Sequence, residues 1–163
     1  MQIKNYILII CFTLFVCGCF RNYDVYGFKP VKKNFDSGVV GARLIGSESI
    51  KGNTIIKRSP YKLFLWFGSE TFTDGSLYIE NLKLVNKKNG DIVFAKNRLL
   101  EKINQETDGY YANFLVENIK LPYENLKLQI TFQFKQEEEA SKKYKISLLL
   151  RKNHQKFKRI IGV

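Results

Sequence analysis

The chain has 163 residues, 45% of them hydrophobic and 26% charged, and a formal net charge of +12 at neutral pH. Its cysteines, Cys11, Cys17 and Cys19, all precede Phe20, and His154 is its one histidine. Beyond Cys19, disulfide staples, thiolate chemistry and the ordinary zinc sites are therefore excluded, and a domain of about 145 residues must rest on apolar packing and backbone pairing.

At the N-terminus, Lys4 precedes an apolar run from Tyr6 to Val16 that stops at Gly18-Cys19. A basic start, a short apolar stretch and a small residue at the cut are the layout of a secretory signal. The run falls short of the roughly 20 apolar residues that a membrane-spanning helix needs. The four residues Val16-Cys17-Gly18-Cys19 resemble the lipobox of bacterial lipoproteins, with a branched apolar residue three places before the cysteine and a small one just before it. Cys17 departs from the more usual Ala, Ser, Thr or Val at its position. The resemblance implies that residues 1–18 are removed and that Cys19 carries a diacylglyceryl thioether and an N-acyl chain, with no other cofactor. Burial of acyl chains, at about 0.8 kcal/mol per methylene, makes such an anchor stable once more than one chain is attached. Phe20, where an aspartate would signal inner-membrane retention in the enteric sorting rule, implies an outer-membrane protein facing the periplasm. In an organism with a single membrane the same anchor implies the outer leaflet of the plasma membrane.

Residues 19–37 lack any sustained period, carry Gly27 and Pro30, and read as a lipidated tether that spans up to about 60 Å when extended. The aromatics Tyr23, Tyr26 and Phe28 exceed what a spacer needs. Residues 38–163 read as the folded domain. Gly38-Val39-Val40-Gly41 matches no phosphate loop or dinucleotide fingerprint and suits bends in a strand. Tyr61–Phe67 is apolar on both faces, so it is an interior strand or carries an exposed aromatic surface. Apolar parity switches between Ser76–Ile79 and Leu82–Val85, which predicts a bulge near Asn81. Asn89-Gly90 predicts a hairpin turn, Asn97–Glu106 a short helix, and Tyr110–Leu121 a strand stopped by Pro122. In Leu126–Lys135 every even position is apolar and every odd one polar, a strand with one wet face. Tyr144–Arg151 keeps that parity apart from Leu149, and the polar residues between the two suit a hairpin. About eight strands with turn dipeptides between them predict an all-β antiparallel sandwich. Trp66 on an interior strand adds an immunoglobulin-like analogy.

Chemistry finds little support in the sequence. His154 lies in a basic run with no carboxylate beside it, and reads as solvent-exposed rather than as a general base. No Gly-x-Ser-x-Gly elbow occurs. Asp74, Asp91 and Asp108 adjoin turn glycines, and Glu137-Glu138-Glu139 reads as a solvated loop. A carboxylate pair for glycoside cleavage has no local spacing rule and no positive sign here.

Two features suit binding. Lys142, Lys143, Lys145, Arg151, Lys152, Lys156, Lys158 and Arg159 form an acid-free stretch toward the C-terminus. It is a cationic face for an acidic partner or anionic lipid, or simply the wet face of a last strand and its tail. Phe64 and Trp66 are a recognition surface or part of the core. The leading expectation is a non-enzymatic, lipid-anchored module that binds another protein, as an envelope or secretion assembly component or as a periplasmic immunity protein. The alternative is a lipid or glycan carrier with a sandwich or barrel cavity. Nucleic acid is disfavoured by the compartment.

Overall fold

A computed structural model describes residues 20–36, 38–69, 75–106, 109–135 and 142–160. The signal run, Cys19, Asp74, Asp108 and Glu137-Glu138-Glu139 lie outside the described residues. Those described form eleven strands: β1 (Phe20–Phe28), β2 (Val31–Phe35), β3 (Gly38–Lys51), β4 (Thr54–Ser69), β5 (Ser76–Asn86), β6 (Ile92–Lys102), β7 (Asn104–Glu106), β8 (Gly109–Ile119), β9 (Leu126–Lys135), β10 (Lys143–Leu150) and β11 (Lys152–Ile160). One sheet runs β11-β1-β4-β3-β2, with β8 also paired to β4 and β7 to β8; the other runs β10-β9-β5-β6. The protein is all-β and sandwich-like, as the strand pattern predicts.

The second sheet follows the two-residue period closely. Leu126, Leu128, Ile130, Phe132 and Phe134 of β9 are buried, and the alternate side chains face outward. In β10, Tyr144, Ile146 and Leu148 lie opposite Phe132, Ile130 and Leu128, so the apolar faces of the predicted hairpin coincide. The predicted bulge falls at Glu80, which β9 skips between Ile79 and Asn81. The β5–β6 hairpin turns through Lys87–Gly90, with Gly90 at φ +80° where a side chain would be strained. The Asn86 amide donates to the Asp91 carbonyl at 2.8 Å and closes it.

β4 is divided in two. Its half Tyr61–Ser69 lies between β3 and β8, and its half beginning at Thr54 lies between β3 and β1. Where they meet, β3 steps from Gly46, opposite Tyr61, to Ser47, opposite Arg58, leaving Ser59 and Pro60 unpaired. Pro60 has no N–H to give a ladder, so a bulge is where a central strand tolerates it. Gly46 is required there, because a Cβ would come within 2.6 Å of the Arg58 nitrogen.

The body of the sandwich is β2, β3, the second half of β4 and β8 facing β10, β9, β5 and β6. Leu63, Leu65 and Phe67 of β4 point inward to meet Leu82, Leu84, Leu128 and Phe132 in one core. Phe132 joins the layers: its ring centre lies 4.8 Å from Phe67, 5.4 Å from Phe35 and 5.3 Å from Tyr144. Each such side chain contributes about 1.5–3 kcal/mol through removal from water.

Beyond the body, β1, β11 and the adjoining ends of β3 and β4 form a wing. Here the expectation of a tether is corrected. Every residue of β1 pairs with β11, from Phe20 opposite Ile160 to Phe28 opposite Lys152, and Asn22–Val25 pair in parallel with β4. The aromatics explain themselves: Tyr23 stacks on Phe157 at 4.9 Å, Tyr26 stacks on His154 at 4.3 Å, and Phe28 enters the core against Tyr61. The predicted helix is also corrected. Residues 97–102 continue β6 and 104–106 form β7, with Leu99 turned toward the core and Leu100 left 61% exposed. That is a two-residue period, and pairing with β5 overrides the weak helical one. Trp66 takes no part in the core, which removes the basis of the immunoglobulin-like analogy.

Candidate functional site

Along the second half of β4 the side chains alternate between core and solvent, and those facing solvent are Lys62, Phe64 and Trp66. Strand pairing sets their neighbours. Arg43, Phe64 and Leu115 form one outer row across β3, β4 and β8, and Gly41, Trp66 and Asn113 form the next, with Lys32 of β2 beside Gly41. Val39, Gly68 and Tyr111 form a third, and Ile45 beside Lys62 begins the opposite flank. Phe64 is 40% exposed and Leu115 50% exposed. The outer face of this sheet is thus apolar and aromatic along its middle, with Arg43, Lys32 and the Lys62–Glu117 ion pair around it.

Two glycines shape the surface. The Trp66 ring lies flat where a side chain at position 41 would be, since a Cβ on Gly41 would sit 2.0 Å from the indole. Tyr111 lies over Gly68, whose Cβ would come within 3.0 Å of its ring. Flattened aromatic rings over glycine leave a broad, shallow platform. Such a face suits apolar and aromatic anchors of a protein partner better than a small solute, which needs concavity.

The structure divides the predicted cationic set. Lys143 and Lys145 lie on β10 in the second sheet, with Lys142 just before it, whereas Lys152, Lys156, Lys158 and Arg159 lie on β11 at the edge of the first, with Arg151 between. Several are engaged with the protein itself. Lys142 pairs with Asp36 and Lys143 with Glu80, and Lys152 lies 5.7 Å over the Tyr123 ring. The hydrogen bond and charge of Asp36 raise the pKa of Lys142. The eight cations therefore make no single face, and Lys158 and Arg159 stand apart at the outer end of β11.

His154 is exposed, as its basic run predicts, but the expectation that no carboxylate adjoins it is corrected. Asp24, across the β1–β11 ladder, approaches Nε2 at 2.5 Å. The hydrogen bond from His154 lowers the Asp24 pKa, partial burial opposes the shift, and Lys156 reinforces it. Tyr26, stacked on the imidazole, also donates to Asp24 at 3.4 Å. This group joins β1 to β11 and acts as a polar clip within the wing. Among the described residues, no cluster of His, Cys, Asp and Glu has the geometry to hold a metal ion.

The sequence had singled out Phe64 and Trp66 without deciding between core and surface. It missed Leu115 and Tyr111, although β8 carries apolar residues at both parities, Ala112, Phe114 and Val116 inward and Tyr111 and Leu115 outward. That double parity was the available signal. No family model, no curated protein and no solved structure matches this chain.

Proposed function

We propose that this protein is a non-enzymatic binding module of the bacterial envelope, held by lipid on Cys19, that docks another protein on the outer face of β3, β4 and β8. The observation that carries this reading is the solvent-facing row of Phe64 and Leu115 beside the flattened Trp66. A folded chain gains nothing by leaving aromatic side chains in water, whereas a docking surface gains its anchors that way. Arg43 and Lys32 at the rim favour a partner with acidic residues around an apolar centre, through complementary charge. The lipobox resemblance supports the anchor, and with it an envelope location, probed by Cys19→Ser, which is expected to prevent lipid attachment and release the chain from membranes.

The test is capture from the organism's own envelope with the full lipidated chain, solubilised in detergent, alongside a Phe64→Lys variant. The expected result is one protein recovered in near-equal amount with the unaltered chain and lost with the variant. Its identity, an assembly component or a delivered effector, then distinguishes the two roles. Equal recovery by both chains, or recovery of lipid or glycan alone, contradicts the reading.

A further inference from the structure

The wing places a specific surface next to the anchor. Cys19 precedes Phe20, the first residue of β1, so the lipid is attached within about 4 Å, one Cα step, of a paired strand. Phe20 lies at the far end of the wing, beside the β3–β4 turn: the Asn53 side-chain amide donates to the Phe20 carbonyl at 2.9 Å, and the Asn22 amide to the Asn53 carbonyl at 3.1 Å. At roughly 3.3 Å per residue, Phe28, where β1 meets the core, is about 26 Å from that end.

The residues gathered there form a distinctive set. Phe20 is 38% exposed and Ile50, near the turn, 62% exposed. Around them stand Arg21, Lys51, Lys158 and Arg159, with no Asp or Glu in residues 20–23, 49–55 or 157–160. Arg21 and Arg159 are direct cross-strand partners. Like charges opposite one another in a ladder are unfavourable, and folding alone gives no reason to pair them. Three register steps inward the logic is conventional, since Lys156 faces Asp24.

We propose that the tip of this wing is a membrane-contact surface. With Cys19 acylated, Phe20 and Ile50 enter the interfacial layer, and Arg21, Lys51, Lys158 and Arg159 meet anionic head groups of the same leaflet. The proposal rests on the lipoprotein reading of Cys19. It replaces a domain floating on a long tether with one held upright, its body about 26 Å from the surface along β1. Exposed apolar area alone does not select this site, since Leu100 is 61% exposed on the other sheet. Continuity with the anchor and an uncompensated cationic rim do.

The test uses the full chain, purified from bacterial membranes, with its intact mass recorded. Lipidated protein is reconstituted into vesicles of phosphatidylcholine and phosphatidylglycerol with a polarity-sensitive label at Ile50→Cys or, as control, at Leu100→Cys. The expected result is that lipid-borne quenchers reach the label at 50 and not the one at 100. Arg21→Glu with Arg159→Glu is expected to return the label at 50 toward water without changing the mass. Labels at 50 and 100 that remain alike in lipidated protein overturn the proposal. If the mass shows no lipid, the anchor reading fails separately, and the unlipidated chain is sedimented with the same vesicles. Binding that weakens roughly fivefold per cation removed then upholds the tip, and absence of binding overturns it.

Discussion

The two outer faces of the sandwich differ in kind. Through the middle of the second sheet, Gln129 and Thr131 of β9 lie beside Lys145 and Ser147 of β10 and Lys83 of β5, a polar surface made for water, and the exposed apolar residues Ile92 and Leu100 stand toward the two ends of β6 at its edge. On the first, the equivalent positions hold Phe64, Trp66, Tyr111 and Leu115. Both sheets bury the same kind of inner face against the same core, so folding makes no demand that explains the contrast. A strand with one apolar face reports a core. A strand with two reports a core and something that covers the other side.

The largest difference between the faces is expected on removal of an inner-face residue. Phe132→Ala, at a fully buried position packed against the rings of Phe35, Phe67, Phe134 and Tyr144, is expected to cost about 3–5 kcal/mol of stability, read by urea denaturation. If it costs no more than an outer-face change, the division into core and platform is wrong. Next comes Phe64→Ala, expected to weaken partner binding by about 2 kcal/mol or more, as a central anchor does. Its unfolding midpoint should move far less than that of Phe132→Ala. Gly41→Val sharpens the point, because its side chain must displace the indole now 2.0 Å from the Cβ position. It is expected to reduce partner binding in calorimetry and to alter Trp66 fluorescence.

A smaller effect belongs to the wing, which beyond Phe28 lies outside the main core. The Asp24 carboxyl titrates below its ordinary value of 3.8 because His154 bonds it. A depressed folded pKa means that its stabilisation is complete above the unfolded value and is lost as pH falls through the folded one. Between pH 6 and 5, Asp24→Asn is therefore expected to be less stable than the unaltered protein, with the difference closing below about pH 4. Urea midpoints across that range provide the check. The smallest effect is predicted for Lys127→Glu on the polar face, within about 0.5 kcal/mol in stability and without consequence for partner binding.

These contrasts also mark what the sequence made legible. β9 and β10 were readable because one face is wet and one dry, so period and burial coincide. The Glu80 bulge and the Asn89-Gly90 turn were readable because each leaves a local mark. β1 was not, because Arg21–Gly27 are all half-buried and its partner β11 lies at the other end of the chain. The Asp24–His154 contact shares that cause, since its partners are 130 positions apart. For the site, Phe64 and Trp66 announced themselves as an apolar excess on β4. Leu115 and Tyr111 became meaningful only when pairing set them on the same side, and the cations that looked like one stretch were divided where the chain passes from one sheet to the other at Arg151.

The most direct measurement places a photo-crosslinking amino acid at Leu115, and separately at Gln129 on the polar face, in the full chain in its own cells. A discrete protein adduct is expected from position 115, absent from position 129 and lost when Phe64 is also changed to Ala. Adducts of equal yield from both positions, or from 129 alone, would contradict the proposed docking.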